Sequence, residues 1–402
     1  MCAMAPAPRP PVRPLSIDEA RARVLAAVRP LPAEDVAVEE ALGRVLAGDV
    51  AAAHDVPGFA NSAMDGFAVR SGPAGRRLRL VGESRAGAPA EAEVGEGQAV
   101  RISTGALLPA GADAVLQLEL AREDDRTVTL DDDVAPGRNV RFPGEDLASG
   151  AVVLRAGTRL GAAAVGVAVA AGRSTVRCAR RPAVAIVTTG DELTAPGDAL
   201  GPGALHDSNA LTLAALATQA GAQIVRTARS RDTAAATRAA LAGALEAADV
   251  VVASGGVSVG PHDHVKDALR DLGVEEAFWR VALRPGRPTW FGTRGDTAVF
   301  GLPGNPVSAM VTFALFARPA LAAMQGAAAL PRRGRARLAV PVTRHPDRDE
   351  CVRVRIEDGV ATPTGPQGSH VLTSMLGADA LAIVARGDGE VPAGGEVEVE
   401  RL

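Results

Sequence analysis

Residues 249–266 read DVVVASGGVSVGPHDHVK. An apolar run, Val250 to Ala253, breaks into Ser254, Gly255 and Gly256, then Ser258 and Gly260. Asp263 follows, and an amphipathic segment starts there. The pattern predicts strand, glycine-rich turn and helix. Glycine lets a ligand approach the backbone, and free N–H groups where a loop enters a helix attract anions. A carboxylate beside phosphates points to Mg²⁺. The alternative is a tight turn that needs its glycines only for shape.

Outward from this stretch the texture is βαβ. Ala183 to Thr188 reads as a buried strand ending in TTGDEL, Leu211 to Ala220 as a helix, Ile224 to Ala228 as a strand and Thr233 to Ala247 as a helix. Further strands are expected near 289–292 and 297–301, and GLPGNPVSA leads into a long apolar helix over about 307–325. Such alternation predicts a mostly parallel sheet with helices on both faces, binding ligands at the carboxyl ends of its strands. TTGDEL, SGGVSVG and GLPGNP all follow strand-like runs and so can face one crevice. TTGDEL sets Asp191 and Glu192 where carboxylates bind metal or ribose hydroxyls; the alternative is a helix N-cap with acids favoured by the dipole. Asp232 also follows a strand, with helix capping as its alternative. Pro303, Gly304, Asn305 and Pro306 pre-shape a loop that exposes N–H donors. Arg280, Arg284 and Arg287, the last two in LRPGRP, form a cluster suited to bidentate oxyanion capture. His262 and His264 are set aside as metal ligands, having no third His or Cys near them. Neither a Walker A loop nor a G-x-S-x-G elbow occurs.

The rest of the chain differs in texture. SIDEARARVLAAVR, 16–29, carries a capping-box pattern at Ser16 and Glu19, and a second short helix is expected over Val38 to Leu46. Short runs between 76 and 142, separated by Gly, Pro and Asp, predict a small β domain. RFPGEDLASG, 141–150, reads as a hinge, and 151–178 returns to helix-forming texture. After Pro331 clean alternation predicts a small barrel or sandwich. These textures predict a multidomain chain, α/β plus β, and the family resemblance set out below implies its bounds: a tail (1–14), a discontinuous irregular or helical domain (15–56 and 144–178), an inserted β domain (57–143), an α/β sandwich (179–328) and a C-terminal β-barrel (329–402). The loop Asn61 to Gly66, holding Asp65, reads as functional.

Composition sets limits. A net charge of −4 argues against a general nucleic-acid or anionic-membrane surface. The three cysteines form no CxxC or Cys/His cluster, so a reducing, cytoplasmic setting is expected. The N-terminus, MCAMAPAPRPPVRP, has no apolar core and reads as a disordered tail rather than a signal peptide. The apolar run Leu160 to Ala171 is too short to span a bilayer. Lys266 is the only lysine, which leaves cationic work to arginine. Cys351 carries no sign of nucleophilicity.

Taken together, NSAMDGFAV, RISTGA, PGED, TTGDEL, SGGVSVG, RPGRP, GLPGNPVSA and QGSH resemble, in order and spacing, the molybdopterin molybdenumtransferase (MoeA-like) family, which includes the E domain of gephyrin. The resemblance runs from about 15 to 402. It implies insertion of molybdate into adenylylated molybdopterin, with Mg²⁺-dependent cleavage of AMP and release of molybdenum cofactor. It also implies a homodimer of four-part subunits whose cleft lies between the α/β domain of one and the inserted β domain of its mate, with a molybdopterin adenylyltransferase as a candidate partner. Carried over by position, Asp65, Thr104 and Glu192 match catalytic residues, and Asp232 and Asp263 match metal- and nucleotide-binding carboxylates. Arg280, Arg284, Arg287, Arg348 (in RDECVR) and Ser369 (in QGSH) match basic or molybdate-site positions; Pro303 and Pro306 match the GLPGNP turn. The implied division of labour has amides of SGGVSVG cradling phosphate, the arginines and Ser369 holding molybdate, and Asp65 and Glu192 helping to activate water or transfer oxo. The chain departs from the family at Phe67 for a usual Tyr, Cys351 for an aromatic, and Arg284 and Arg287 for lysines. Two other functions fit parts of the pattern. A molybdopterin adenylyltransferase would need neither the inserted β domain nor the barrel, and a gephyrin-like scaffold would need partner-binding segments beyond the short Pro-rich tail.

Overall fold

The structure, a computed structural model, describes residues 13–258, 263–330 and 333–402. Gly260 and His262, and the expectation for the first dozen residues, lie outside them. The chain forms two compact units. One comprises Asp35–Leu42 and Gly48–Arg177; the other holds the N-terminal stretch to Glu34, Gly43–Ala47 and Cys178–Leu402.

Helix α1 (Ile17–Ala27) opens the larger unit. Its Ser16 hydroxyl accepts from the Glu19 N–H, and the Glu19 carboxylate accepts from the Ser16 N–H, a complete capping box. Ile17, Ala20 and Val24 bury against the apolar residues of the α/β sheet, so α1 belongs with that unit rather than with the irregular segments after it. The helix expected over 38–46 is a single 3₁₀ turn, Val38–Glu40. Gly43, at φ +75°, breaks it, and Leu46 pairs as an isolated bridge with Cys178.

The smaller unit is built on a mixed six-stranded sheet of β1 (Gly66–Val69), β2 (Arg77–Ser84), β3 (Gln98–Ile102), β4 (Ala114–Gln117), β5 (Ala121–Asp124) and β6 (Thr127–Leu130). Their order is β4-β1-β3-β2-β6-β5. Alternate residues divide between two apolar clusters: Phe67 and Val69 go to one, Ala68 to the other. The segment 151–178 gives one helix, α2 (Ala162–Ala170), flanked by short strands.

The larger unit continues with β7 (Ala183–Thr189), α3 (Ser208–Gln219), β8 (Gln223–Ser230), α4 (Ala234–Ala247), β9 (Val250–Ser254), α5 (Val265–Asp271), β10 (Glu275–Trp279), β11 (Trp290–Arg294) and β12 (Thr297–Leu302). The strand order is β8-β7-β9-β12-β11-β10; the first four are parallel, and the β12–β11 and β11–β10 pairings are antiparallel, so β11 alone runs against the rest. The central strands β7, β9 and β12 are buried on both faces, which is why they read as near-continuous apolar runs, whereas the edge strands β8 and β10 are largely exposed. Val184, Ile186, Val250 and Val252 face the α3 side; Ala185, Val187, Val251 and Ala253 face α4. The chain leaves β7 toward β8 on one side and returns to β9 on the other, which opens a crevice at the carboxyl ends of β7 and β9.

The apolar helix that follows is not uniform. Pro306–Thr312 (α6) and Arg318–Met324 (α7) flank a π-helical turn, Phe313–Ala317. The Nε of buried Arg21 donates to the Leu315 carbonyl (3.0 Å), and its terminal nitrogen holds both oxygens of buried Glu400 at 2.9 and 2.8 Å. The span Pro306–Met324 is long and apolar enough to cross a bilayer, but most of it is packed inside the core.

Five strands close the larger unit: β13 (Arg333–Leu338), β14 (Asp349–Glu357), β15 (Val360–Pro363), β16 (Ala380–Val384) and β17 (Glu396–Arg401). Their pairing β14-β15-β13-β17-β16 returns to β14, giving a barrel-like ring without a free edge. The short strand Leu283–Arg284 adds in parallel to β14, tying the RPGRP loop to the barrel.

Candidate active site

Register brings three loops together. Thr188 of β7 pairs with Ser254 of β9, which pairs with Leu302 of β12, so TTGDEL, SGGVSVG and GLPGNP emerge at one level. Hydrogen bonds tie the second and third of these loops to the start of α3: Asn209 Nδ2 donates to Ser254 Oγ (3.0 Å) and to the Gly304 carbonyl (2.7 Å), and Ser254 Oγ donates to the Pro303 carbonyl (3.1 Å). The glycine at 255 is required. It sits at φ +94°, and a Cβ there would lie 2.6 Å from Thr189 Oγ1 and 2.8 Å from its carbonyl oxygen.

A cleft of about 810 Å³ opens over these loops. Its walls include Glu192, Asp232, Ser254, Gly255, Gly256, Ser258, Asp263 and the Pro303–Pro306 turn. Neither capping alternative describes the acids. TTGDEL runs on into the short strand Leu193–Thr194, and α4 is capped by Thr233, whose hydroxyl accepts from the Ala236 N–H. Asp232 and Asp191 instead accept each other's backbone N–H at 3.3 Å. Beneath the glycine turn, Trp279 Nε1 donates to the Val257 carbonyl (3.1 Å) and Lys266 Nζ donates to that of Ser258. The Trp279 ring carries Lys266 Nζ 3.6 Å and the Arg280 guanidinium 4.1 Å from its centroid. Burial holds the Lys266 ammonium below its ordinary range, opposed by the Asp263 charge.

A second cavity of about 390 Å³ is lined by Arg284, Arg287, Arg348 and Ser369. Pro288, Pro303, Asn305 and His370 line both cavities, so the two adjoin. The RPGRP loop is shaped by Gly286, at φ +117°, where a Cβ would meet Thr312 at 2.4 Å. Arg284 is paired with Glu350 at 3.0 Å. Arg348 donates to His345 Nε2 at 2.6 Å; its Nε lies 3.4 Å from Asp347 but outside hydrogen-bonding geometry, a buried donor left over in the pocket wall. Asn305 Nδ2 donates to Ser369 Oγ at 3.1 Å. Arg280 lines neither cavity; its guanidinium is stacked on Trp279.

Asp65 and Thr104 lie in the other unit, where the Asp65 carboxylate accepts from the Thr104 N–H (2.7 Å) and hydroxyl (3.1 Å). Cys351 is fully buried, and burial pushes its thiol well up, as an inert core residue requires.

Sequence reasoning missed several residues. Asp207 is buried in the cleft wall, accepting from Thr188 Oγ1 (2.6 Å) and capping α3 at the Ala210 N–H (3.0 Å). Asn209 and His370 were also missed. The sequence HDSN at 206–209, Asp and Asn opening a helix after a glycine-rich loop, was the available signal.

Family models match in sequence along the chain: MoeA N-terminal region (domain I and II) at 15–172, probable molybdopterin binding domain at 185–323, and MoeA C-terminal region (domain IV) at 335–402. A protein named molybdopterin molybdenumtransferase 2 from Mycobacterium tuberculosis is 36% identical over 395 residues, covering 94% of this chain and 96% of that one. The molybdopterin molybdenumtransferase of Haemophilus influenzae is 38% identical over 316 residues, 78% of each. The crystal structure of the molybdopterin biosynthesis MoeA protein of Pyrococcus horikoshii superposes with a TM-score of 0.83 at 29% identity, covering 97% of this chain and 100% of that one. A match of this extent, together with the three loops and two adjoining cavities, shows that the chain belongs to the molybdopterin molybdenumtransferase family.

Proposed function

We propose that this protein inserts molybdenum from molybdate into adenylylated molybdopterin, with Mg²⁺-dependent release of AMP, to give molybdenum cofactor. The observation that carries this reading is the adjoining pair of cavities, one lined by the glycine turn, the Pro303–Pro306 turn and carboxylates, the other by arginines and Ser369. The first suits the pterin and its phosphoanhydride. The second suits a tetrahedral dianion, for which guanidinium forks and a hydroxyl are matched donors.

The metal fits the donor set. Among the described residues no group of three or more His, Cys, Asp or Glu forms a ready-made cage. Asp232 and Asp263 offer hard oxygens in one cleft, and Mg²⁺ is usually held by one or two carboxylates completed by substrate phosphates and water. A bound Mg²⁺ would offset charge on the phosphoanhydride and the departing AMP. The protein's own part is positioning: the three loops at the strand ends hold the phosphates, and the arginine pocket holds the oxyanion beside them.

Asp65 and Thr104 enter this reading from a second copy of the chain, in a cytoplasmic homodimer of four-part subunits that receives its substrate from an adenylyltransferase. Exposed Phe59, Met64, Leu107 and Phe142 lie on segments that pair around the Asp65 loop, an apolar surface suited to being covered. The free, buried Cys178 and Cys351 suit a reducing compartment. The test is Asp263→Asn with adenylylated molybdopterin, molybdate and Mg²⁺. AMP release should fall at least about a hundredfold while molybdate binding persists; unchanged release removes Asp263 from the metal role.

A further inference from the structure

Arg353, on β14, is 1% exposed, yet the acceptors of its guanidinium are neutral. Its Nε and a terminal nitrogen both donate to Ser374 Oγ at 3.1 Å; the same terminal nitrogen donates to the carbonyls of Pro366 (3.3 Å) and Gly368 (3.2 Å). Its backbone takes part as well. The Arg353 N–H donates to Gln367 Oε1 (2.8 Å), and its carbonyl accepts from the Thr364 N–H (3.1 Å). One residue thus pins the segment 364–374 at both ends and in the middle. That segment delivers Ser369 and His370, whose side chains line the arginine cavity. Ser369 is also held from the other side, since its carbonyl accepts from the Val307 N–H at the start of α6 (3.2 Å). Burial lowers the Arg353 guanidinium to about 10, which leaves it charged at neutral pH. A buried cation with neutral ligands is costly, and such a residue is best explained by what it holds.

We infer that Arg353 is a positioning residue for the oxyanion: it fixes the 364–374 loop so that Ser369 faces Arg284, Arg287 and Arg348, and adds positive potential beneath that pocket. The inference rests on assigning the arginine cavity to the oxyanion. Arg353 itself touches no substrate in this account. A hydrophobic residue of similar length fills its volume but gives up the loop and the charge together, whereas lysine keeps the charge and loses the fork.

The experiment is calorimetric titration of the full chain with molybdate alone and, separately, with AMP and Mg²⁺, for wild type, Arg353→Lys and Arg353→Met. Arg353→Met should weaken molybdate about tenfold or more, the equivalent of one lost charge-assisted contact, with AMP affinity unchanged and Arg353→Lys in between. Ser374→Ala, a milder cut in the same clamp, should weaken molybdate severalfold and serves if Arg353→Met does not fold. Wild-type molybdate affinity in Arg353→Met or, failing its folding, in Ser374→Ala overturns the inference, as does equal loss of molybdate and AMP binding. Wild type that binds AMP but no molybdate overturns the cavity assignment itself.

Discussion

At the scale of single residues, the buried Arg21–Glu400 pair is the most exposed to test. Truncating one partner leaves a charge without compensation, so Glu400→Leu should cost about 3–5 kcal/mol. Replacing both, Arg21→Met with Glu400→Leu, should recover only part of that loss, because Arg318 and Arg333, each 3.8 Å from the Glu400 carboxylate, lose its charge as well. Denaturant unfolding of the two variants checks it. Gly255→Ala should also be costly, since φ +94° and the approach to Thr189 leave no room for a Cβ. We expect more than about 1 kcal/mol of lost stability and a matching loss of AMP affinity, read by thermal unfolding and nucleotide titration. The sequence made the glycines of this turn legible because their type carries the reason for their use. It did not make the setting of Arg280 legible: one of three arginines in the sequence cluster, it takes φ +75° and has its guanidinium 4.1 Å from the Trp279 ring centroid. A backbone angle at one residue leaves no mark in composition.

Among elements, the parallel sheet was legible because strands buried on both faces print apolar runs, and the helices between them print their own period. The interruption of the helix after GLPGNP was not. Its π turn exposes a carbonyl that Arg21 satisfies from 294 residues away, which no local window contains. The supposed helix over 38–46 failed for the opposite reason: its apolar spacing is helical, but Gly43 takes φ +75° and ends it. Helix α1 and the barrel offer a pH test. The hydrogen bond from Arg333 holds the Asp18 carboxyl below its ordinary value of 3.8, helped by the charges of Arg333 and Arg21 and opposed by desolvation. A lowered folded value means this contribution is full above 3.8 and lost as pH falls through the folded value. Asp18→Asn should therefore cost under about 1 kcal/mol near neutrality, and the difference from wild type should shrink in acid.

For the whole molecule, family order and spacing made the multidomain plan legible, while the division into compact units was not, because α1 crosses back to the sheet through packing alone. If Asp65 serves the cleft of a second copy, Asp65→Asn and Asp263→Asn are each inactive alone. Co-expressed, they should form mixed dimers in which about half of the sites carry neither change, and activity should return in proportion. Lack of complementation would return Asp65 to its own chain. The most direct test of the central claim is a single turnover with purified protein, adenylylated molybdopterin and Mg²⁺, started by adding molybdate. The account predicts that AMP appears together with an equal amount of molybdenum-bearing pterin. Absence of molybdate-dependent AMP release, or AMP released without any molybdenum-bearing pterin, would contradict it.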